Sequence, residues 1–232
     1  MGAFLPAFSQ DLSDIEEFIG EEEEDLGIIA SSKDSKVILY GSSHIGYGFH
    51  AMNSSIFEPG ASGEVFANIL RLGIYPAEHL AVELNLDIEH NDFRSKETSF
   101  SLENGYIVLP KDGTAPSEGE AKGKKNVSSF NYWNVNLPLL VKFRAGDFHI
   151  GAGAEGSINF AGKVWSRYTQ GRRTTKVSET GARLNLFTYG IVGVISYDGL
   201  TLFLKWYPKS SRIVSQGDVD FSHMTVGLSF GL

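Results

Sequence analysis

This sequence predicts an all-β fold, a closed antiparallel up-and-down transmembrane β-barrel of about eight strands. Three observations predict it. Apolar and polar residues alternate with a period of two in segment after segment, the mark of a strand with one buried or lipid-facing side. The connections between those segments alternate long and short. Glycine (26), Phe (16) and Tyr (9) are abundant while Pro (7) is sparse, which suits strands joined by turns.

The clearest strand is 79–90. Leu80, Val82, Leu84, Leu86 and Ile88 alternate with Ala81, Glu83, Asn85, Asp87 and Glu89. In 133–143, Trp133, Val135, Leu137, Leu139, Val141 and Phe143 oppose Asn134, Asn136, Pro138, Leu140 and Lys142. At the end of the chain, Met224, Val226, Leu228, Phe230 and Leu232 alternate with Thr225, Gly227, Ser229 and Gly231. Further strands are expected at 41–51, 64–75, 147–161, 181–197 and 200–208. In 64–75, Phe66, Leu70, Leu72 and Ile74 are read as one face. Strand 181–197 is apolar on both faces beyond Phe187, which leaves its inward face open.

Three connections are tight: around Pro76–Glu78, Ala145–Gly146 and Asp198–Gly199. Four are long: 52–63, 91–129, 162–180 and 209–221. Short turns at one end and long loops at the other are the pattern of outer-membrane barrels, with both chain ends on the short-turn, periplasmic side. Within 91–129, Asn104-Gly105 between short strand-like stretches reads as a hairpin with a type I′ turn. Placed above the membrane it leaves eight strands; counted as wall it makes ten.

No run of about 20 apolar residues is present, and strands that hide apolar residues at alternate positions need none. A net charge of -8 and a pI near 5.3 argue against nucleic acid as the main partner. The chain has no Cys, so neither a disulfide framework nor a thiolate metal site is expected. Residues 1–9 resemble the tail of a secretory signal peptide. Residues 10–36 are read as an acidic N-terminal tail, in which 11–25 carry nine acids and no base. Ser13 and Glu16 there form a candidate capping box. Residues 37–232 are assigned to the barrel.

Alternation alone does not say which face points inward. A lipocalin-like soluble barrel would bury the apolar face around a ligand; a membrane barrel inverts this. The long, charge-free apolar faces favour inversion. So does the placement of Trp133, Phe143, Phe148, Phe160, Trp206 and Phe230 at their ends, as interfacial girdles require. Inversion puts Arg71, Glu83, Asp87, Lys142, Glu155 and Lys205 in the lumen, with Arg183 joining them if its strand keeps parity. Eight strands enclose only enough room for side chains. Both signs occur in similar number, so a lumen closed by ion pairs is expected.

The tract Asn136-Leu-Pro-Leu-Leu-Val-Lys-Phe143, a tight turn, and Phe148-His-Ile-Gly-Ala-Gly-Ala-Glu-Gly156 resembles the PorT-like small outer-membrane β-barrel proteins of Bacteroidetes. The closing Val226-Gly-Leu-Ser-Phe-Gly-Leu232 is similar to their last strand. The resemblance covers about 41–232. It implies an eight-stranded barrel in the outer membrane and no assigned activity. Such barrels end in an aromatic residue that the insertion machinery, an expected partner, recognises; this chain ends in Leu232, with Phe230 two residues earlier.

Other motifs point less far. Gly151-Ala-Gly-Ala-Glu-Gly156 fits a dinucleotide fingerprint, which requires a helix next; strand alternation follows instead. The six histidines show no metal-ligand spacing, and His44 and His50 lie about 20 Å apart along a strand. No nucleophile elbow is present. Basic clusters occupy two long loops: Lys122, Lys124 and Lys125 in one, Arg167, Arg172, Arg173 and Lys176 in the other. They are candidates for lipopolysaccharide phosphates. The expected role is structural or surface-interacting, as a monomer without catalysis, cofactor or metal. A lipid acyl hydrolase or transferase in the same fold is the alternative.

Overall fold

The computed structural model describes residues 28–32, 35–41, 44–52, 57, 61–95, 100–108, 127–170, 173–214 and 222–231. Every described element is a β-strand: β1 (Ile28–Ser32), β2 (Ser35–Gly41), β3 (Ile45–Met52), β4 (Gly63–Ala77), β5 (Leu80–Ser95), β6 (Ser101–Glu103), β7 (Tyr106–Val108), β8 (Val127–Ala145), β9 (Phe148–Gln170), β10 (Arg173–Ala182), β11 (Phe187–Tyr197), β12 (Leu200–Tyr207) and β13 (His223–Phe230). Eight of them close a ring in the order β3-β13-β12-β11-β9-β8-β5-β4 and back to β3, each pair antiparallel. Closure is made by β13 on β3, in register from Phe230 against Ile45 to His223 against Met52. A closed ring leaves no edge, so wall backbone groups find partners within the sheet.

The wall is inside-out. Leu80, Leu84, Ile88, Trp133, Leu137, Leu139, Val141 and Phe143 are exposed, as are Ile45, Tyr47, Phe49, Leu202, Leu204 and Trp206. Their neighbours Glu83, Asp87, Glu89, Asn134, Asn136 and Lys205 are buried. A soluble ligand-binding barrel has the reverse polarity, so the lipocalin-like alternative is set aside. Surface apolar residues on this scale are stable only where the surrounding solvent is hydrocarbon. The eleven residues from Trp133 to Phe143, ten steps, advance about 33 Å along the strand, or about 25 Å upright at a tilt near 40°. That height matches the apolar band of a membrane barrel.

Polarity switches along a single strand. In β5 the outward residues are apolar from Leu80 to Ile88, then become Asp92 and Arg94, while Phe93 turns inward and is fully buried. His90 and Trp133, cross-strand partners with ring centroids 4.7 Å apart, mark the boundary. Above it the strands behave as in a water-soluble protein.

Connections alternate as the sequence predicts. Short turns fall at Glu78-His79, Gly146-Asp147 and Asp198-Gly199, and Asp198 (φ 48°) and Gly199 (φ 72°) both adopt the left-handed conformation of a type I′ turn. The hairpin at Asn104-Gly105 also has positive φ at both residues (54° and 85°). Its strands β6 and β7 form a separate two-stranded sheet, so the wall has eight strands and not ten.

Four expectations need correction. The stretch 162–180 is not a loop: β9 runs on to Gln170 and pairs with β10, from Arg173 against Gln170 to Ala182 against Gly162. Strand 181–197 begins only at Phe187, because residues 183–186 break the ladder. Its inward face is now settled: Thr188, Val192 and Val194 are buried and Tyr189, Ile191 and Ile195 exposed. Phe66 does not share a face with Leu70, Leu72 and Ile74. A bulge between Asn68 and Leu70 shifts parity, so Phe66 points inward. The sheet also starts before residue 37: β1 pairs with β2, and β2 lies in line with β3 along β4. Residues 1–27, with the signal-peptide remnant and capping box, lie outside the described residues.

Small residues let the interior fill. A Cβ on Gly46 would lie 2.1 Å from Phe66 Cε1, and one on Gly227 2.3 Å from Phe203 Cζ. The two rings meet edge to face at 5.2 Å. With Leu140, Val192 and Val194 they form an apolar layer across the lower lumen.

Leu139→Arg, at the middle of the lipid-facing band, is expected to destabilise the folded barrel by about 2–4 kcal/mol. Equilibrium folding into phosphatidylcholine vesicles against urea measures this. An Arg tolerated there without loss would refute the assignment of the outer face.

Candidate functional site

The lumen holds the largest polar cluster of the molecule's described part. Because β4, β5, β8, β9 and β12 present alternate residues inward, their carboxylates, amides and one ammonium meet on the barrel axis. Lys205 Nζ lies 2.7 Å from Glu64 Oε1 and also bonds Glu89 Oε2. Glu89 further accepts from Asn91 Nδ2 (2.7 Å) and Asn136 Nδ2 (2.8 Å). Asn134 Nδ2 donates to Asn136 Oδ1 at 2.8 Å. Glu155 accepts from the Tyr207 hydroxyl. The Lys205 ammonium also stands 4.9 Å from the Phe66 ring centroid.

A second cluster lies nearer the short turns. Glu83 Oε2 is 2.6 Å from Lys142 Nζ and 3.9 Å from Arg71 Nε. Arg71 also reaches His44 Nδ1 at 3.3 Å. Asp87 accepts a hydrogen bond from Asn68 Nδ2. A cavity of about 70 Å³, room for a few waters, separates the clusters; Arg71, Asn85, Asp87, Lys142 and Phe203 are among its lining.

Above the ion cluster the lumen is aromatic. His50 Nδ1 bonds Thr225 Oγ1 at 2.8 Å. The His50 ring stacks on Phe93 at 4.4 Å, and Tyr207 stacks on His223 at 4.3 Å. Higher still, an apolar core closes the end of the barrel. Phe57 from the β3–β4 connection, Phe100 and Ile107 around β6 and β7, Val164 and Ala182 from β9 and β10, and Ile213 and Val214 after β12 pack with Phe93 and Phe130. Each long connection contributes. Polar contacts fasten the cap: Ser166 Oγ donates to Phe100 O (2.9 Å) and Glu179 accepts from Leu102 N (2.6 Å).

Six of the seven charges assigned to the lumen from sequence lie inside: Arg71, Glu83, Asp87, Lys142, Glu155 and Lys205. Arg183 does not. It falls in the break before β11, is exposed, donates to the Tyr106 hydroxyl at 2.8 Å and stands over that ring at 4.9 Å. Sequence reading missed Glu64 and Glu89. Glu89 shares the parity of Glu83 and Asp87, which was signal enough. Glu64 was hidden because the bulge after Asn68 reverses the parity read back from Leu70. With them the described lumen carries five acids against Arg71, Lys142 and Lys205, so the signs are not balanced as expected.

Of the basic clusters, Lys122, Lys124, Lys125 and Arg172 lie outside the described residues. Arg173 opens β10. Arg167 and Lys176 are exposed cross-strand partners on a β-hairpin, not loop residues. Lys176 Nζ sits 4.9 Å from the Trp165 ring centroid. The glycine-rich 151–156 lies within β9, with Glu155 inward and Gly156 outward. No helix follows to receive a pyrophosphate. Among the described residues no group of three His, Asp or Glu is arranged to hold a metal ion.

The chain matches no protein-family model and no curated protein sequence. Among solved structures it is similar to Ail, the attachment invasion locus protein of Yersinia pestis. The TM-score is 0.36 at 11% identity, over 82% of this chain and 95% of that one. The structure of Ail in complex with the heparin analogue sucrose octasulfate gives a TM-score of 0.34 at 11% identity, over 83% and 97%.

Lys205→Met is expected to cost about 3–5 kcal/mol, because it strands Glu64 and Glu89 in the interior. Adding Glu64→Gln and Glu89→Gln should recover most of that loss. Urea unfolding of the detergent-folded protein, followed by Trp fluorescence, reads both steps. No recovery in the triple variant would mean that Lys205 acts through packing alone.

Proposed function

We propose that this chain is an outer-membrane barrel with a filled lumen, serving a structural or surface-interaction role without catalysis. The observation that carries the reading is the inverted wall: an apolar exterior about 25 Å tall around a buried ionic interior. In this reading the short turns and the acidic N-terminal segment face the periplasm, and the cap of long connections faces outward. The PorT-like resemblance of residues 136–156 and 226–232 belongs to the same proposal.

Two features support a closed, non-catalytic body. The Phe66–Phe203 layer, the ion cluster and the apolar cap lie across the axis in succession. His50, which bonds the Thr225 hydroxyl, is enclosed: the two are 1% and 0% exposed. An acyl-transfer pair must instead meet a lipid carbonyl at the surface.

Cell fractionation and gel mobility of unboiled against boiled protein test the proposal. Outer-membrane partition with a faster-running unboiled band is expected, and a soluble protein without a mobility shift would overturn it. Reconstituted in planar bilayers, the barrel should show no steady open-pore conductance; stable large steps would refute a filled lumen.

A further inference from the structure

Outward side chains of β5, β8, β9 and β10 above the aromatic boundary form a basic face. Register places Lys163 opposite Thr180, Trp165 opposite Ser178, and Arg167 opposite Lys176. On the other flank Lys163 faces Asn131, which faces Asp92, and Ser129 faces Arg94. Among the described residues this surface therefore carries Arg94, Lys163, Arg167 and Lys176 against a single acid, Asp92. That acid is held by Arg94 Nε at 2.7 Å and by the Ser129 hydroxyl. The rest of the rim is different: the outward faces of β3, β4, β12 and β13 begin there with Ala51, Val65, Trp206 and Met224.

A bulge aims the cations. The register between β8 and β9 shifts between Asn131 and Trp133, where Ala161 takes a left-handed φ of 55°. Phe160 points out below the bulge, yet Val164 and Ser166 point in above it. Without the extra residue, Lys163, Trp165 and Arg167 would have turned into the cap and Val164 outward. The displacement thus sends the apolar side chain to the cap and the cations to the exterior.

Height completes the argument. Lys163 lies three residues beyond Phe160, about 10 Å along the strand or about 8 Å upright at a tilt near 40°. That is roughly the thickness of a headgroup layer above the hydrocarbon. Arg167 and Lys176 lie about 20 Å along, beyond a simple headgroup. Trp165, with Lys176 over its ring, provides the amphipathic contact common at such depths.

Resting on the outer-membrane reading above, we propose that this face binds one anionic lipid of the outer leaflet, lipopolysaccharide. Arg94 and Lys163 meet phosphates at the bilayer surface, and Arg167 and Lys176 meet those on the sugars above. A lipid with charge at both heights matches the vertical spread of the cations, and Arg forks suit phosphate oxygens.

The full chain, folded in zwitterionic detergent, is titrated with fluorescent lipopolysaccharide and read by anisotropy. Lys163→Ser/Arg167→Ser should weaken binding at least about tenfold, and Lys163→Arg/Arg167→Lys should retain it. Lys209→Ser/Arg212→Ser, on another connection, should leave it unchanged. Dephosphorylated lipopolysaccharide should bind as weakly as the first variant. Unchanged binding in that variant, or an equal loss in the Lys209/Arg212 control, overturns the proposal. Heparin bound more tightly than lipopolysaccharide by the same residues would also overturn it, assigning the face to a sulfated polysaccharide. Gel mobility of the same samples separates the two readings. A folded wild type that ignores lipopolysaccharide sinks only this inference, whereas a wild type that never forms the heat-modifiable barrel sinks both.

Discussion

The pairing of β13 with β3 is the interaction on which the other features depend. Until it forms, the sheet has two open edges and two usable faces. Once it forms, one face is enclosed by a ring of eight strands and the other is wholly external. Every residue is then committed by parity. The enclosed face carries Glu64, Glu83, Asp87, Glu89, Glu155 and Lys205, and the external one carries the aliphatic and aromatic residues. The hydrophobic effect cannot drive that choice in water; lipid as the surrounding solvent makes it favourable.

Closure also creates the lumen's central difficulty. Charges without bulk water must be paired or the structure loses several kcal/mol for each. The response here is local and layered. Lys205 serves Glu64 and Glu89, Lys142 and Arg71 serve Glu83, and amides from Asn68, Asn91 and Asn136 with the Tyr207 hydroxyl supply further donors. Phe66 and Phe203 fit between these layers because Gly46 and Gly227 have no side chain. Polar and apolar strata therefore alternate along the axis, and no single gate accounts for the filling.

Bulges divide the barrel into regions of different chemistry. The irregularity after Asn68 turns Phe66 and Glu64 inward, and the one at Ala161 turns the upper part of β9 over. Both break the simple period of two. The one at Ala161 sits where the wall passes from the lipid-facing band to the capped end, a common use of bulges at barrel rims, whereas the one after Asn68 lies inside the band, between exposed Val65 and Ile74. Above the second one, strands that face lipid lower down enclose an ordinary apolar core.

Much of this was legible in the chain. The strict alternation of 80–88 and 133–143 determined the strands and their two faces, since period two is a property of extended backbone alone. The long-short rhythm of the connections marked the tight turns, Asp198-Gly199 among them, and Asn104-Gly105 marked a hairpin; the choice between eight and ten wall strands was decided only by the separate sheet that β6 and β7 form. Which lumen charges share a layer was not legible, because cross-strand neighbours such as Glu89 and Lys205, 116 residues apart, meet only through shear and closure. Nor was Arg183's exclusion, which follows from a break in the ladder that local pattern does not mark. Phe57, Phe100, Ile107 and Ile213 lie in connections with no periodicity, so only the tertiary fold could reveal that they form one core. Alternation is a local constraint and can be read locally; register, bulges and the cap are settled by partners far away in sequence, and only the folded barrel decides them.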